Sequence, residues 1–150
     1  MKAGFPDFKI REAEKKDFNA IVSILQLISP YYPTAEASVT LCEKFFGQTN
    51  VHSLVAEVEN NVVGFGCILL ERKIRGGIAA HIEDIAVKGE YQGYGIGKRL
   101  LKGLINICPD AYKLTLVCTE ENIGFYKSLG FTRGHIEMRL IRLSKETGTA

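Results

Sequence analysis

Apolar residues at positions 18, 21, 22, 25 and 28 recur at i, i+3, i+4, i+7 and i+10. That period belongs to one helical face and predicts a first helix from about Lys15 to Ile28. Pro30 and Pro33 stop it. A second helix is expected over Ala35–Phe46, with Thr34 as its N-cap and Val39, Cys42, Phe45 and Phe46 as its apolar face. A short strand, Phe8–Glu12, precedes both. Two apolar runs, Ser53–Val58 and Val62–Arg72, flank Asn60-Asn61 and read as an antiparallel hairpin. Gly64 and Gly66 inside the second arm point to a bulge or a bend. Beyond the mobile basic loop Arg75-Gly76-Gly77, the run Ala80–Val87 is the next strand. Gly95–Ile107 then carries Leu100, Leu101, Leu104 and Ile105 on one helical face and ends at Cys108-Pro109-Asp110. A branched strand Lys113–Cys118, a short helix Asn122–Leu129 stopped by Gly130, and a last strand Ile136–Leu143 complete the chain. Lys145–Ala150 reads as a frayed tail.

This order, βααβββαβαβ, leads a hairpin meander into a βαβ crossover. It predicts an α/β domain: a mixed, twisted sheet with helices on both faces. There is no internal repeat and no linker, so residues 1–150 are expected to form a single domain with its core at about 8–143. A hydrophobic content of 46% over 150 residues suits one sizeable core. The net charge of +2 comes without a basic stripe of interleaved aromatics, so nucleic acid is not an expected partner. No run is long enough for a membrane span, and Met1–Phe8 lacks an apolar leader segment. The four cysteines, Cys42, Cys67, Cys108 and Cys118, have no metal-ligand spacing. Three lie in apolar runs, which suits reduced thiols in a cytoplasmic protein that needs no metal.

Three stretches carry chemistry. Gln92-Gly93-Tyr94-Gly95-Ile96-Gly97-Lys98-Arg99 lies between a strand and a helix. Glycines let backbone N–H groups approach an anion, and the first turn of a helix leaves donors unpaired, with the helix dipole favouring negative charge there. A dinucleotide fingerprint would need glycine at 98; a P-loop would need glycine at 92 and a hydroxyl at 99. Glu83 and Asp84 sit inside the otherwise apolar Ile82–Val87, where a carboxylate could bind an amine or accept a proton. Neighbours on a strand point to opposite faces, so at most one is expected in any given cleft unless a bulge intervenes. Tyr126 falls one helical turn after Asn122 and could donate a proton to a departing thiolate.

Gln92 to Lys98, together with Asn122-Ile123-Gly124-Phe125-Tyr126 and Gly130-Phe131, resembles the two signatures of the GCN5-related N-acetyltransferases (GNAT). His81–Val87, Tyr91–Lys98, Tyr112-Lys113-Leu114, Glu137-Met138, Ile10-Arg11 and Glu71-Arg72-Lys73-Ile74 resemble, more narrowly, the glucosamine 6-phosphate N-acetyltransferases within that family. The likeness covers about residues 8–143. It implies acetyl-CoA as co-substrate, glucosamine 6-phosphate as acceptor, and a step of UDP-N-acetylglucosamine biosynthesis. It also implies two central strands that splay apart around the cofactor.

By this resemblance, backbone of Ile85, Ala86 and Val87 would hold the pantetheine arm and thioester. Gln92, Gly93, Tyr94, Gly95, Ile96, Gly97 and Lys98 would hold the pyrophosphate, and Asn122 would touch the cofactor. Glu83, Asp84 and Ile85 would meet the amino sugar, Ser29 would offer it a hydroxyl, and Lys73 would meet its phosphate. Tyr112 and Lys113 would reach substrate in the other subunit of a homodimer. Tyr126 would be the general acid, and Glu83 or Asp84 the base. Three departures stand out. The loop after Lys73 is short and lacks the family's histidine, which passes phosphate contacts to Arg75. Val117 stands where a carboxylate is usual. The basic residue expected near the C-terminus falls on Arg139 or Arg142. A peptide or lysine acetyltransferase, or a non-catalytic acyl-CoA-binding module, are the alternatives on the same scaffold.

Overall fold

The computed structural model describes residue 4 and residues 7–142. Five strands form one sheet in the order β1-β2-β3-β4-β5: β1 Phe8–Glu12, β2 Val51–Val58, β3 Asn61–Arg72, β4 Ile78–Val87 and β5 Lys113–Thr115. β1 to β4 are antiparallel neighbours, while β5 returns parallel to β4 after the crossover. The helices are α1 Phe18–Leu25, α2 Ala35–Phe46, α3 Ile96–Ile107 and α4 Ile123–Lys127. The expected mixed sheet with helices on both faces is what forms.

Two apolar clusters, one on each face, hold these layers. On one face Leu100, Leu101 and Leu104 of α3 are fully buried against Leu54, Ala56, Ile68, Ala80 and Ile82 of the sheet, with Tyr126 and Leu129 packed alongside. On the other, Ile21 and Ile24 of α1 meet Val55, Phe65, Cys67 and Ala86. α2 buries no residue completely; Phe45 and Phe46 anchor its end, Phe45 against the Phe65 ring. Thr34 caps α2 as its sequence suggests, its hydroxyl accepting from the Ala37 amide at 3.1 Å.

Several boundaries differ from those expected. The first helix begins as a 3-10 turn at Lys15–Asp17 and ends at Leu25, not Ile28. The Gln26 side chain stops it: its amide donates to the Tyr31 carbonyl at 2.6 Å, and its oxygen accepts from the Tyr31 N–H at 2.8 Å. The hairpin turn is Glu59-Asn60, both left-handed, so Asn61 already belongs to β3. The last helix is shorter than Asn122–Leu129, since residues 120–122 form a 3-10 turn and Gly130 adopts φ +92°. β5 stops at Thr115 instead of Cys118. No strand forms over residues 136–142, where Ile136, Met138 and Leu140 are exposed; Leu143 and the tail lie outside the described residues. A strand needs a neighbour for its amides, and among the described residues this segment has no ladder partner.

One ionic cluster ties the first strand down. The Arg11 guanidinium donates to both oxygens of Asp17 at 2.7 and 2.9 Å, and to Glu57 at 2.8 Å. Asp17 and Glu57 are both buried. The hydrogen bond from Arg11 is the main cause holding Asp17 below the usual carboxylate range; Lys9 and then Arg11 do the same for Glu57. A carboxylate with a lowered folded pKa stabilises above its unfolded value and loses that contribution as pH falls through the folded one. Arg11→Leu is therefore expected to unfold at lower urea concentration than the parent at pH 7, with the gap narrowing steadily below pH 4. Urea melts at a series of pH values check this; a gap that does not depend on pH refutes it.

Candidate functional site

β4 and β5 share three rungs, Ala79–Lys113, Ala80–Leu114 and His81–Thr115, and then part. From Ile82 to Val87 the side of β4 that faces β5 has no ladder partner among the described residues. The gap opens into a cleft of about 940 Å³ lined by Ile82–Val87 of β4, by residues 116–119 beyond β5, by the glycine loop and by Asn122, Phe125 and Tyr126. Leu27 and Ile28 close it from the end of α1. Strand splay thus leaves a row of backbone donors and acceptors along one wall, where an extended ligand arm can take the place of a strand.

A bulge shapes that wall. Cys67 of β3 pairs with Glu83 and Phe65 pairs with Ala86, so Asp84 and Ile85 both oppose Gly66. Asp84 takes φ +56°, a left-handed conformation that aspartate tolerates better than branched residues. The extra residue reverses the alternation: Ala80 and Ile82 face α3, and beyond the bulge Ile85 and Val87 do so. Gly66 accommodates this, because a Cβ there would stand 2.5 Å from Ile85 Cδ1. Glu83 and Asp84 consequently line the same cleft; the bulge is the exception under which neighbouring carboxylates can share one.

Burial raises both carboxyls above their ordinary range, and the neighbouring Asp84 charge adds to the rise at Glu83. Among the described residues neither forms an ion pair. They are therefore better proton acceptors than surface carboxylates. Cys67 lies behind them, its thiol pushed up to about 12 by burial and by these two charges, which leaves it inert.

The glycine loop sits at the other end of the cleft. Gly93 and Gly95 both adopt φ +85°, and Gly95 is the N-cap of α3. Arg99 N–H bonds the Gly95 carbonyl at 3.1 Å, the first helical bond, so the amides of Ile96, Gly97 and Lys98 lie in the unpaired first turn. The Gln92 side-chain amide donates to the Val87 carbonyl at 2.9 Å and braces the loop against the strand. Packing does not demand glycine at 97, where a Cβ would meet Phe125 and Val87 at 3.7 and 3.8 Å. Together these residues fit a diphosphate.

Tyr126 lies across the cleft, half-buried, edge-on to Phe125 and Phe131 at 5.0 and 6.0 Å. Burial, then the nearby Cys118, raises its hydroxyl pKa, so it keeps its proton in neutral solution.

Of the residues expected at the site, Glu83 to Val87, Gln92, Gly93, Gly95 to Lys98, Asn122 and Tyr126 gather in the cleft. Tyr94 and Ser29 do not line it. Lys73, Arg75, Tyr112 and Lys113 stand at the opposite end of β4, where Tyr112 N–H bonds the Ile78 carbonyl and Lys73 N–H bonds the Gly77 carbonyl. Lys73 is paired with Glu71 at 2.6 Å. Arg139 pairs with Glu137 at 2.7 Å, and neither Arg139 nor Arg142 lines the cleft. Cleft residues without an assigned role in the sequence are Leu27, Ile28, Ile82, Tyr91, Leu116, Val117, Cys118, Thr119 and Phe125. Ile82, Tyr91 and Phe125 stand within the motifs and Ile28 at the far end of a helical stripe, whereas Leu27, Leu116 and Thr119 carry no signal. Among the described residues no cluster of His, Cys, Asp and Glu is placed to hold a metal, and no helix is long and apolar enough to cross a membrane.

Residues 18–131 match the acetyltransferase (GNAT) family. The chain is 37% identical over 102 residues to a glucosamine 6-phosphate N-acetyltransferase of Schizosaccharomyces pombe, covering 65% of this chain and 92% of that one. It is 31% identical over 123 residues to glucosamine 6-phosphate N-acetyltransferase 1 of Dictyostelium discoideum, covering 77% and 78%. The crystal structure of glucosamine-6-phosphate N-acetyltransferase from Arabidopsis thaliana superposes with a TM-score of 0.83 at 27% identity, over 90% of this chain and 98% of that one.

Gly95→Ala places a Cβ on a left-handed residue, at a cost of about 1–2 kcal/mol. It is expected to weaken binding of a nucleoside diphosphate about tenfold. Isothermal titration of the parent and variant with adenosine diphosphate checks this.

Proposed function

The chain belongs to the acetyltransferase (GNAT) family, and we propose that it transfers the acetyl group of acetyl-CoA to the amine of glucosamine 6-phosphate, giving N-acetylglucosamine 6-phosphate and CoA. One observation carries the reading: a bulged carboxylate pair, a diphosphate-fitting glycine loop and a protonated tyrosine meet in one cleft between parted strands. The names of the relatives support the amino sugar phosphate as acceptor.

Each residue has a part. Amides of Ile96, Gly97 and Lys98 hold the diphosphate, and the unpaired edge of β4 from Ile85 to Val87 holds the arm. Acetyl-CoA supplies an acetyl group already activated as a thioester. Glu83 and Asp84 hold the incoming ammonium and take its proton, which their raised pKa favours. A backbone N–H of the β4 edge steadies the charge that develops on the carbonyl oxygen; one such donor is typically worth roughly 3 kcal/mol. Tyr126 donates its proton to the departing sulfur.

We read the active form as a homodimer. Lys113 begins β5 beside Ala79, four residues before Glu83, so about 13 Å of strand separates it from the carboxylates. That distance from their own cleft supports a role for the basic residues at that end in a second subunit's cleft. The exposed alternating segment Ile136, Met138, Leu140 supports an intersubunit contact. The four free cysteines suit a reducing compartment such as the cytoplasm.

Thiol release from acetyl-CoA is the direct assay, with glucosamine 6-phosphate, glucosamine and a lysine peptide as acceptors. Release is expected with the sugar phosphate; release with the peptide alone overturns the assignment. Tyr126→Phe is expected to lower kcat about 100-fold while leaving the CoA dissociation constant unchanged; an unchanged kcat removes Tyr126 from the role of acid. Lys113→Ala is expected to raise KM for the sugar phosphate without changing affinity for CoA, and steady-state kinetics decide it.

A further inference from the structure

His81 stands at the last rung before β4 and β5 part. Its imidazole Nδ1 is 2.5 Å from the Thr115 hydroxyl on β5, and its Nε2 is 3.2 Å from the Glu71 carboxylate on β3. Glu71 in turn holds Lys73 at 2.6 Å. Three side chains therefore cross three strands in one line. Glu71 is ionised, since hydrogen bonds from Lys73 and then His81 hold it below the usual range. An ionised carboxylate only accepts, so Nε2 carries a hydrogen and a neutral ring leaves Nδ1 to accept from Thr115.

The face matters as much as the line. His81 pairs with Leu69 and Glu83 with Cys67, and Leu69 and Cys67 both pack on the α1 side of the sheet. His81 and Glu83 thus share that face, two residues apart. The charges around them are Glu71 on β3 and Lys73 just beyond its end, Glu83 and Asp84 on β4, and Glu137 on the segment after α4. Asp84 also acts on Tyr31, in the loop after α1. Among the causes acting on Glu83, His81 alone opposes the rise.

We propose that His81 is a positioning residue: the line Glu71–His81–Thr115 clamps the last shared rung, fixes where the strands part, and so sets the place of Glu83 for the amine. This rests on the acetyltransferase reading above. A clamp at this point acts on the amine end of the cleft and leaves the glycine loop, at the far end of β4, untouched.

Two variants test it. His81→Leu removes both hydrogen bonds; Thr115→Val removes one hydroxyl and keeps a residue suited to a strand. Both are expected to keep the affinity for CoA within about threefold of the parent and to lose about tenfold or more in kcat/KM for the amine. Values of kcat/KM within about twofold of the parent in both variants overturn the proposal, as does an equal loss of CoA affinity, which signals collapse of the whole cleft. A second readout needs no substrate: carboxyl-carbon NMR of the Glu83 side chain, on the full chain, across pH. In His81→Leu the midpoint is expected to shift, because Glu83 loses the neighbour that sets its place; an unmoved midpoint overturns that part of the claim. If the parent does not acetylate glucosamine 6-phosphate, the acceptor assignment fails, while the NMR titration and CoA binding still decide the role of His81. If His81→Leu does not fold, Thr115→Val alone carries the kinetic test.

Discussion

Backbone amides and carbonyls away from water need partners, and parallel strands normally supply them to each other. Here β4 and β5 supply them for three rungs only. Beyond His81 and Thr115 the wall of β4 has lost its neighbour, and the space between the strands is wide enough for a cleft of about 940 Å³. Everything at the site is arranged around this missing neighbour. An extended ligand arm can satisfy the edge, the glycine loop has the unpaired amides to fit the charged end of such a ligand, and the carboxylates lie at the other.

The bulge at Asp84 is the second requirement. A regular β4 would carry Glu83 and Asp84 to opposite faces and bury one of them against α3. The extra residue instead returns Ile85 and Val87 to the α3 core and leaves both carboxylates in the cleft. The cost is one left-handed aspartate, of order 1 kcal/mol, and a glycine on β3 to make room. Asp17 and Glu57 show the alternative fate of a buried carboxylate: each is matched by Arg11 or Lys9 and held ionised. Among the described residues the cleft pair has no such match, so its affinity for protons and cations stays available for a substrate.

The clamp at His81 joins these two features. It ties β3, β4 and β5 together at the one place where the sheet stops being continuous. The loop after α1 closes the cleft from above, set by the two-way bond between Gln26 and the Tyr31 backbone.

Local pattern alone determined much of this protein. Helical periodicity in residues 96–107, the Thr34 cap, the paired arms of the hairpin and the glycine spacing from 93 to 97 each follow from forces acting within a few residues. The sheet class was legible for that reason, and so was the strand–glycine loop–helix arrangement that meets the carboxylates in one cleft. What the sequence could not contain was register. That β4 pairs three rungs with β5 and then none, that Asp84 bulges, and that Glu71, His81 and Thr115 form a line all depend on contacts between residues far apart in the chain. The segment 136–142 shows the same limit from the other side: its alternation says strand, yet no strand forms, because a strand is made by the neighbour that accepts its hydrogen bonds.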